Sequence, residues 1–200
     1  CTTKQAKDFE IQTNANHASV IHALDGEIIT KELITHITTE KGRLLADTTR
    51  DILTITVINR YEDAPPVSAL IHGFGLSHGA IASCVGHDTH NIIAVGCDTN
   101  SLAKAVNIII ENRGGISAVG NDREIFLPLP FAGIMSGDEG SLVGKQYAEL
   151  DRFTKDVLGS CLGAPYMTLS FMALLVIPDL KLSDKGLFSG KEFRFVDSFI

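Results

Sequence analysis

Two short apolar runs, AIASCV (80–85) and NIIAVG (91–96), enclose a polar cluster in which His87, Asp88, His90 and Asn91 fall within five consecutive positions. No other stretch constrains the fold as strongly. Each run reads as a strand, and the polar residues as the loop between them. Strand-like runs recur elsewhere. Leu53, Ile55 and Val57 alternate with Thr54, Thr56 and Ile58, the period-two pattern of a strand with at least one buried face. Upstream, HASVIHAL, EIIT and ELITHIT are β-rich and break at Asp25-Gly26, a hairpin signal, with a second turn at Lys41-Gly42. ISAVG and REIFL form a further expected hairpin about Asn121 and Asp122.

Helical signals are fewer. Leu102, Ala105, Val106, Ile109 and Ile110 share one helical stripe, between a cap at Asp98 or Thr99 and a stop at Gly114, which predicts a helix over 98–113. A second helix, loosened by Gly140 and Gly144, is expected over 139–158. A third is expected over 165–175, opening at Pro165, and its sequence YMTLSFMALLV is apolar nearly all round and should be buried. The fold class expected is therefore α+β: β-sheet packed with about three helices, the N-terminal strands forming a smaller sheet. The expected division is a β-rich segment over 1–60 and an α+β domain over 61–200.

A length of 200 residues suits one large domain or a domain with a small appendage. The formal charge of −7 argues against a nucleic-acid or anionic-membrane partner, since both need a positive surface. The longest apolar stretch, Met172–Ile177, is far too short to span a bilayer. Cys1, Cys84, Cys97 and Cys161 show no CxxC spacing, which fits reduced thiols in a cytoplasm. The chain begins at Cys1 rather than Met, and a processed, truncated or excised piece is the expectation.

Several stretches invite chemistry. The glycines of HGFGLSHG suggest a phosphate loop, but a phosphate loop opens a helix, and here the small, strand-like GAIASCVG follows. A turn or a close backbone approach is the plainer reading. His87 and His90, with Asp88 between them, offer zinc- or manganese-type ligands. A three-residue spacing across a loop does not by itself bring two rings together, and the sequence names no further ligand. The competing reading is an Asx-type turn built by Asp88 and Asn91 with one solvated histidine. Ser83, Cys84 and Ser136 are possible nucleophiles, yet no Gly-x-Ser-x-Gly elbow is present. Met167, Phe171 and Met172 read as core.

Four separated motifs carry a family resemblance: GFGLSHGAIASCVGHDTHNIIAVG, Gly114-Gly115, LPLPFAGIMS and PYMTLSFMALLVIPDLKLSDKGLF. In this order they resemble the C-terminal region of bacterial-type adenine deaminases, of the amidohydrolase superfamily, and the likeness runs through nearly the whole chain. GDEGSLVGK and NRYEDAPPVSALIHG depart from the family pattern. The resemblance implies that catalysis belongs to a (β/α)₈ barrel, which takes about 250 residues by itself. There a two-metal centre of manganese, iron or zinc supplies the hydroxide that converts adenine to hypoxanthine and ammonia. The superfamily's metal ligands include a His-x-His pair. The histidines here are His17, His22, His36, His72, His78, His87 and His90, and no two are two apart. The expectation is no barrel, no metal site and no bound cofactor in this chain. The implied partners are a catalytic barrel in the same polypeptide, a small purine substrate and further copies of the protein in a homo-oligomer.

Three readings compete: the C-terminal domain of an adenine deaminase supporting or covering its barrel; a stand-alone, non-catalytic purine-binding or oligomerisation module; and an independent hydrolase using His87, Asp88 and His90. Under the first, the polar loop at His87, Asp88, His90 and Asn91 is expected near the active-site mouth, with Asp88 accepting an imidazole N–H.

Overall fold

The structure, a computed structural model, describes Cys1–Ile200. The first strands are β1 (His17–Ala23), β2 (Thr30–His36), β3 (Thr38–Glu40), β4 (Arg43–Leu45), β5 (Leu53–Ile58), β6 (Val67–His72), β7 (Ala80–Ser83) and β8 (Ile92–Gly96). Then come helix α1 (Thr99–Glu111), strands β9 (Gly115–Val119) and β10 (Glu124–Pro128), and helices α2 (Gly140–Asp156) and α3 (Pro165–Phe171). Strands β11 (Leu180–Ser183), β12 (Gly186–Ser189) and β13 (Arg194–Val196) come last.

Eight strands make one mixed sheet in the order β10-β9-β7-β8-β5-β6-β1-β2. All its pairings are antiparallel except β1 with β6. The period-two pattern sorts side chains cleanly between the two faces. On one face Leu53, Ile55, Val57, Ile81, Ile93 and Val95 join a core completed by Leu150 and Phe153 of α2, Tyr166 and Leu169 of α3, and Leu180 and Leu187 of the C-terminal strands. On the other, Ala80, Ala82, Ile92 and Ala94 meet Leu102, Ala105, Val106 and Ile109 of α1. Small residues on that face let α1 approach closely. A Cβ at Gly96 would stand 2.8 Å from both Ala80 Cβ and Leu102 Cγ. No helix is long and apolar enough to cross a membrane.

The α+β class holds, with three helices and no barrel. Asp98 is the cap of α1, its Oδ1 accepting from Ser101 N–H at 2.9 Å. The left-handed position after α1 falls on Arg113, at φ 59°, one residue before the Gly114 expected to stop it. Helix α3 is shorter than expected and ends at Phe171, and Met167 is exposed rather than core. Of the N-terminal strands, only β3 and β4 form the separate small sheet expected there. β1 and β2 extend the large sheet instead, because β1 pairs with β6 at Ile21↔Ile71 and His22↔His72. The boundary expected near residue 60 also falls between hydrogen-bonded neighbours, since β5 and β6 pair over five positions. β6 begins directly after Pro65-Pro66, and β11 to β13 carried no distinct strand signal in the sequence.

One buried cation is poorly compensated. Lys181 of β11 has no solvent exposure. Its ammonium donates to Ile28 O at 2.7 Å and joins none of the chain's ion pairs. Burial pushes it down from its ordinary 10.5 to about 8. A displacement of that size disfavours the charged form by about 3 kcal/mol. Lys181→Met should therefore raise stability at pH 7 by about 1–2 kcal/mol, the lost hydrogen bond offsetting the rest. The unfolded lysine holds its proton more tightly, so the parent gains stability as pH rises from about 8 toward 10.5, and the advantage of the variant should close over that window. Urea unfolding of both proteins at pH 7 and above pH 9 checks the sign and the window. An unchanged gap would rule out a charged Lys181 as its source.

Candidate functional site

At the end of the sheet where β5 finishes and β8 begins, the register Ile58↔Ile92 brings the chain at Arg60 beside the loop that ends at Asn91. Ser83, the last residue of β7, pairs with Ile93 and with Ile116, so the loop also lies over the start of β9. Cys84 locks that corner. Its N–H donates to Gly115 O at 3.2 Å, its Sγ donates to Gly133 O at 2.8 Å and accepts from Gly115 N–H at 3.1 Å. Burial pushes the thiol up from its ordinary value. It is a structural clamp rather than a nucleophile. Ser83 Oγ accepts from Val85 N–H at 3.0 Å, whereas Ser136 Oγ donates to the exposed Asp138 carboxylate at 3.2 Å and accepts from Asp138 N–H at 3.1 Å, an exposed turn closed on itself.

The four polar residues of the loop take different roles. His87 donates its backbone N–H to Ser170 O at 3.1 Å. Its ring stacks on Phe171 at 4.6 Å between centroids and 12° between planes. His90 sits in the left-handed region at φ 53° and donates its backbone N–H to Gly86 O at 3.1 Å. Asn91 is buried, and its Oδ1 accepts from the Arg60 backbone N–H at 3.4 Å. Thr89 O accepts from the Tyr61 hydroxyl at 2.9 Å. Asp88 is exposed and takes part in none of the chain's side-chain hydrogen bonds. The imidazole–carboxylate pairing expected of Asp88 is therefore not formed: the turn aims the carboxylate at solvent, where hydration competes with a hydrogen bond to a ring. The Nδ1 atoms of His87 and His90 are buried and without partners, as is Nε of Arg60.

Arg60 and Tyr61 also meet this loop, and no local pattern marked them for it. The Arg60 guanidinium lies over the Tyr61 ring at 5.0 Å and donates through Nη2 to Ala132 O at 2.5 Å. Their partners lie up to 72 positions away along the chain, which local patterning does not reveal. The result is a convergence. Residues of HDTHN, of Gly114-Gly115, of LPLPFAGIMS and of PYMTLSF meet at one end of the sheet through the contacts of Cys84, Arg60 and His87.

This arrangement presents imidazoles from a rigid support, but it does not gather metal ligands. Nowhere are three or more His, Cys, Asp or Glu side chains grouped so as to hold a metal ion. The glycine-rich HGFGLSHG lies at the opposite end of the sheet, and its Gly73 and Gly75 N–H groups donate to the Asp51 carboxylate at 2.7 and 2.8 Å. The anion held by those amides is one of the chain's own side chains, and β7 follows instead of a helix.

Fold and site together define an α+β domain whose distinctive feature is a loop cluster at one end of its sheet. Comparison with known proteins gives its family: a family model described as adenine deaminase C-terminal domain matches residues 27–194, and the chain belongs to that family. An adenine deaminase of Sulfurovum sp. is 54% identical over 195 residues, 98% of this chain and 35% of the relative. One from Salinibacter ruber is 45% identical over 194 residues, 96% of this chain and 35% of the relative. One from Borreliella burgdorferi is 44% identical over 203 residues, 98% of this chain and 36% of the relative. The chain thus spans about a third of the length of these relatives.

The contacts predict unequal roles for neighbouring loop residues. His87→Ala removes a stacked aromatic pair and should cost about 0.5–1.5 kcal/mol. Asp88→Ala removes an exposed, unbonded group and should stay within about 0.5 kcal/mol of the parent. Chemical denaturation of the two variants decides it. An Asp88 variant as destabilised as the His87 variant would mean that the carboxylate has a structural partner after all.

Proposed function

We propose that this chain is the C-terminal domain of an adenine deaminase whose complete polypeptide converts adenine and water to hypoxanthine and ammonia. The observation that carries the reading is 54% identity over 98% of the chain to a protein named adenine deaminase, with that match occupying 35% of the relative. On this reading the hydrolysis is performed by a metal-dependent barrel of the amidohydrolase kind elsewhere in the same polypeptide, whose manganese, iron or zinc ligands lie outside these residues. This domain supports the barrel and fronts the mouth of its active site, and the enzyme is a homo-oligomer. Four cysteines free of disulfides support a reducing, cytoplasmic setting.

What the domain contributes is positioning. The loop at His87, Asp88, His90 and Asn91 is bracketed by buried strands and held by Cys84, Phe171 and Arg60. His87 and His90 are each partly exposed, and it is their exposed ring edges that face a neighbouring segment or a bound purine, since the Nδ1 atoms are buried inside the domain.

The isolated chain should release no ammonia from adenine with manganese, zinc or iron supplied. Turnover anywhere within the usual enzymatic range of about 1–10³ per second would overturn the reading. In the full-length enzyme, His87→Ala and His90→Ala should each leave metal content unchanged and lower kcat/KM by about tenfold, or about 1.4 kcal/mol. Full activity in both variants would reduce the loop to a turn.

A further inference from the structure

Helix α2 is amphipathic along its whole length, but only its second half is covered. Leu150, Phe153 and Thr154 are buried, whereas Val143 and Tyr147, on the same stripe two turns and one turn earlier, are only partly so. Between that first half of α2 and the sheet lies an open groove of about 550 Å³ lined by Val85, Ile116, Leu129, Ile134, Val143 and Tyr147. The loop that forms one wall carries Phe131 and Met135, which bridge to each other and are 56% and 55% exposed. Leu142, beside Val143, is 47% exposed. Gln146, on the same stripe, has a buried side-chain oxygen with no donor.

A continuous apolar surface of this kind marks a contact site rather than ordinary solvent-facing surface. Its polar edge does not suit a small ligand. Ser136 and Asp138, which also line the groove, are bonded to each other, with Asp138 N–H donating to Ser136 Oγ at 3.1 Å. That leaves no convergent set of free donors to fix a purine edge, as a small-molecule pocket requires. The groove is also continuous with the loop cluster through Val85, which lines the groove and precedes the loop of His87 and His90. In relatives matching this chain over 98% and 96% of its length, roughly two-thirds of the polypeptide lies outside the match.

We infer that the groove between the first half of α2 and the sheet, with its rim of Phe131, Met135 and Leu142, is the surface on which the remaining two-thirds of the adenine deaminase polypeptide docks. This rests on the functional reading above, and it names the face. Docking covers the uncovered stripe of α2. It also sets the adjoining histidine loop against the same neighbour.

The test is a chimera in which this chain replaces the matched 195 residues of the Sulfurovum adenine deaminase. Amide hydrogen exchange over 129–147 is compared between the chimera and the isolated chain, and the chimera is assayed for deamination. Exchange in that segment should slow at least tenfold in the chimera. The double variant Phe131→Asp, Leu142→Asp, at exposed positions, should abolish the protection, whereas Phe193→Asp, at another exposed aromatic, should leave it intact. Loss of protection with both variants alike would overturn the inference, because the effect would then not belong to the groove. So would equal exchange in chimera and isolated chain; an active chimera with that result would leave the functional reading standing and remove only the face. Protection in the isolated chain that vanishes on dilution would also overturn it, by making a second copy the occupant. Protection in an inactive chimera would uphold the face and count against the functional reading instead.

Discussion

The antiparallel ladder between β5 and β8, running from Thr54↔Gly96 to Ile58↔Ile92, is the constraint on which the rest of the molecule depends. β5 is buried on both faces, so its register fixes two cores at once. A slip of one residue would exchange Leu53, Ile55 and Val57 with Thr54 and Thr56, and would put β-branched hydroxyls into the larger core. The same ladder sets both ends of the sheet. Beyond Ile58 it places Arg60 next to Asn91, and before Leu53 it places Asp51 under the glycine-rich turn.

These two ends are finished differently. At the Asp51 end, the carboxylate takes two backbone N–H groups and closes the turn on itself, with His72 Nδ1 as its single unpartnered buried atom. At the Asn91 end, Nδ1 of His87, Nδ1 of His90 and Nε of Arg60 are all left without partners. Three buried side-chain atoms without partners thus gather at one end of the sheet, against one at the other. The apolar groove beside the same loop leaves Val143 and Tyr147 of the α2 stripe only partly covered.

At neither end of the sheet are three or more metal-type side chains gathered. The domain gives rigidity and shape, and the loop is held by contacts that have no catalytic chemistry: a thiol clamped by Gly115 and Gly133, a ring stacked on Phe171, a guanidinium over Tyr61.

The sequence by itself determined the local elements whose signals are short-range. The alternation of β5, the Asp98 cap and apolar stripe of α1, the Asp25-Gly26 and Asn121-Asp122 hairpins, and Pro165 at the start of α3 all follow from period, cap and turn chemistry within a few residues. The loop of His87, Asp88, His90 and Asn91 was visible for the same reason, as polarity enclosed between strands. Only the tertiary structure decided what lay across long separations. It joined β1 to β6 and so merged the N-terminal hairpin into the main sheet. It exposed Met167 on a helix that looked apolar all round. It brought Arg60, Tyr61 and Phe171 to the loop while turning Asp88 away. Those outcomes depend on which faces meet after packing, and a side chain's partner 28 or 72 residues distant leaves no mark on its local pattern.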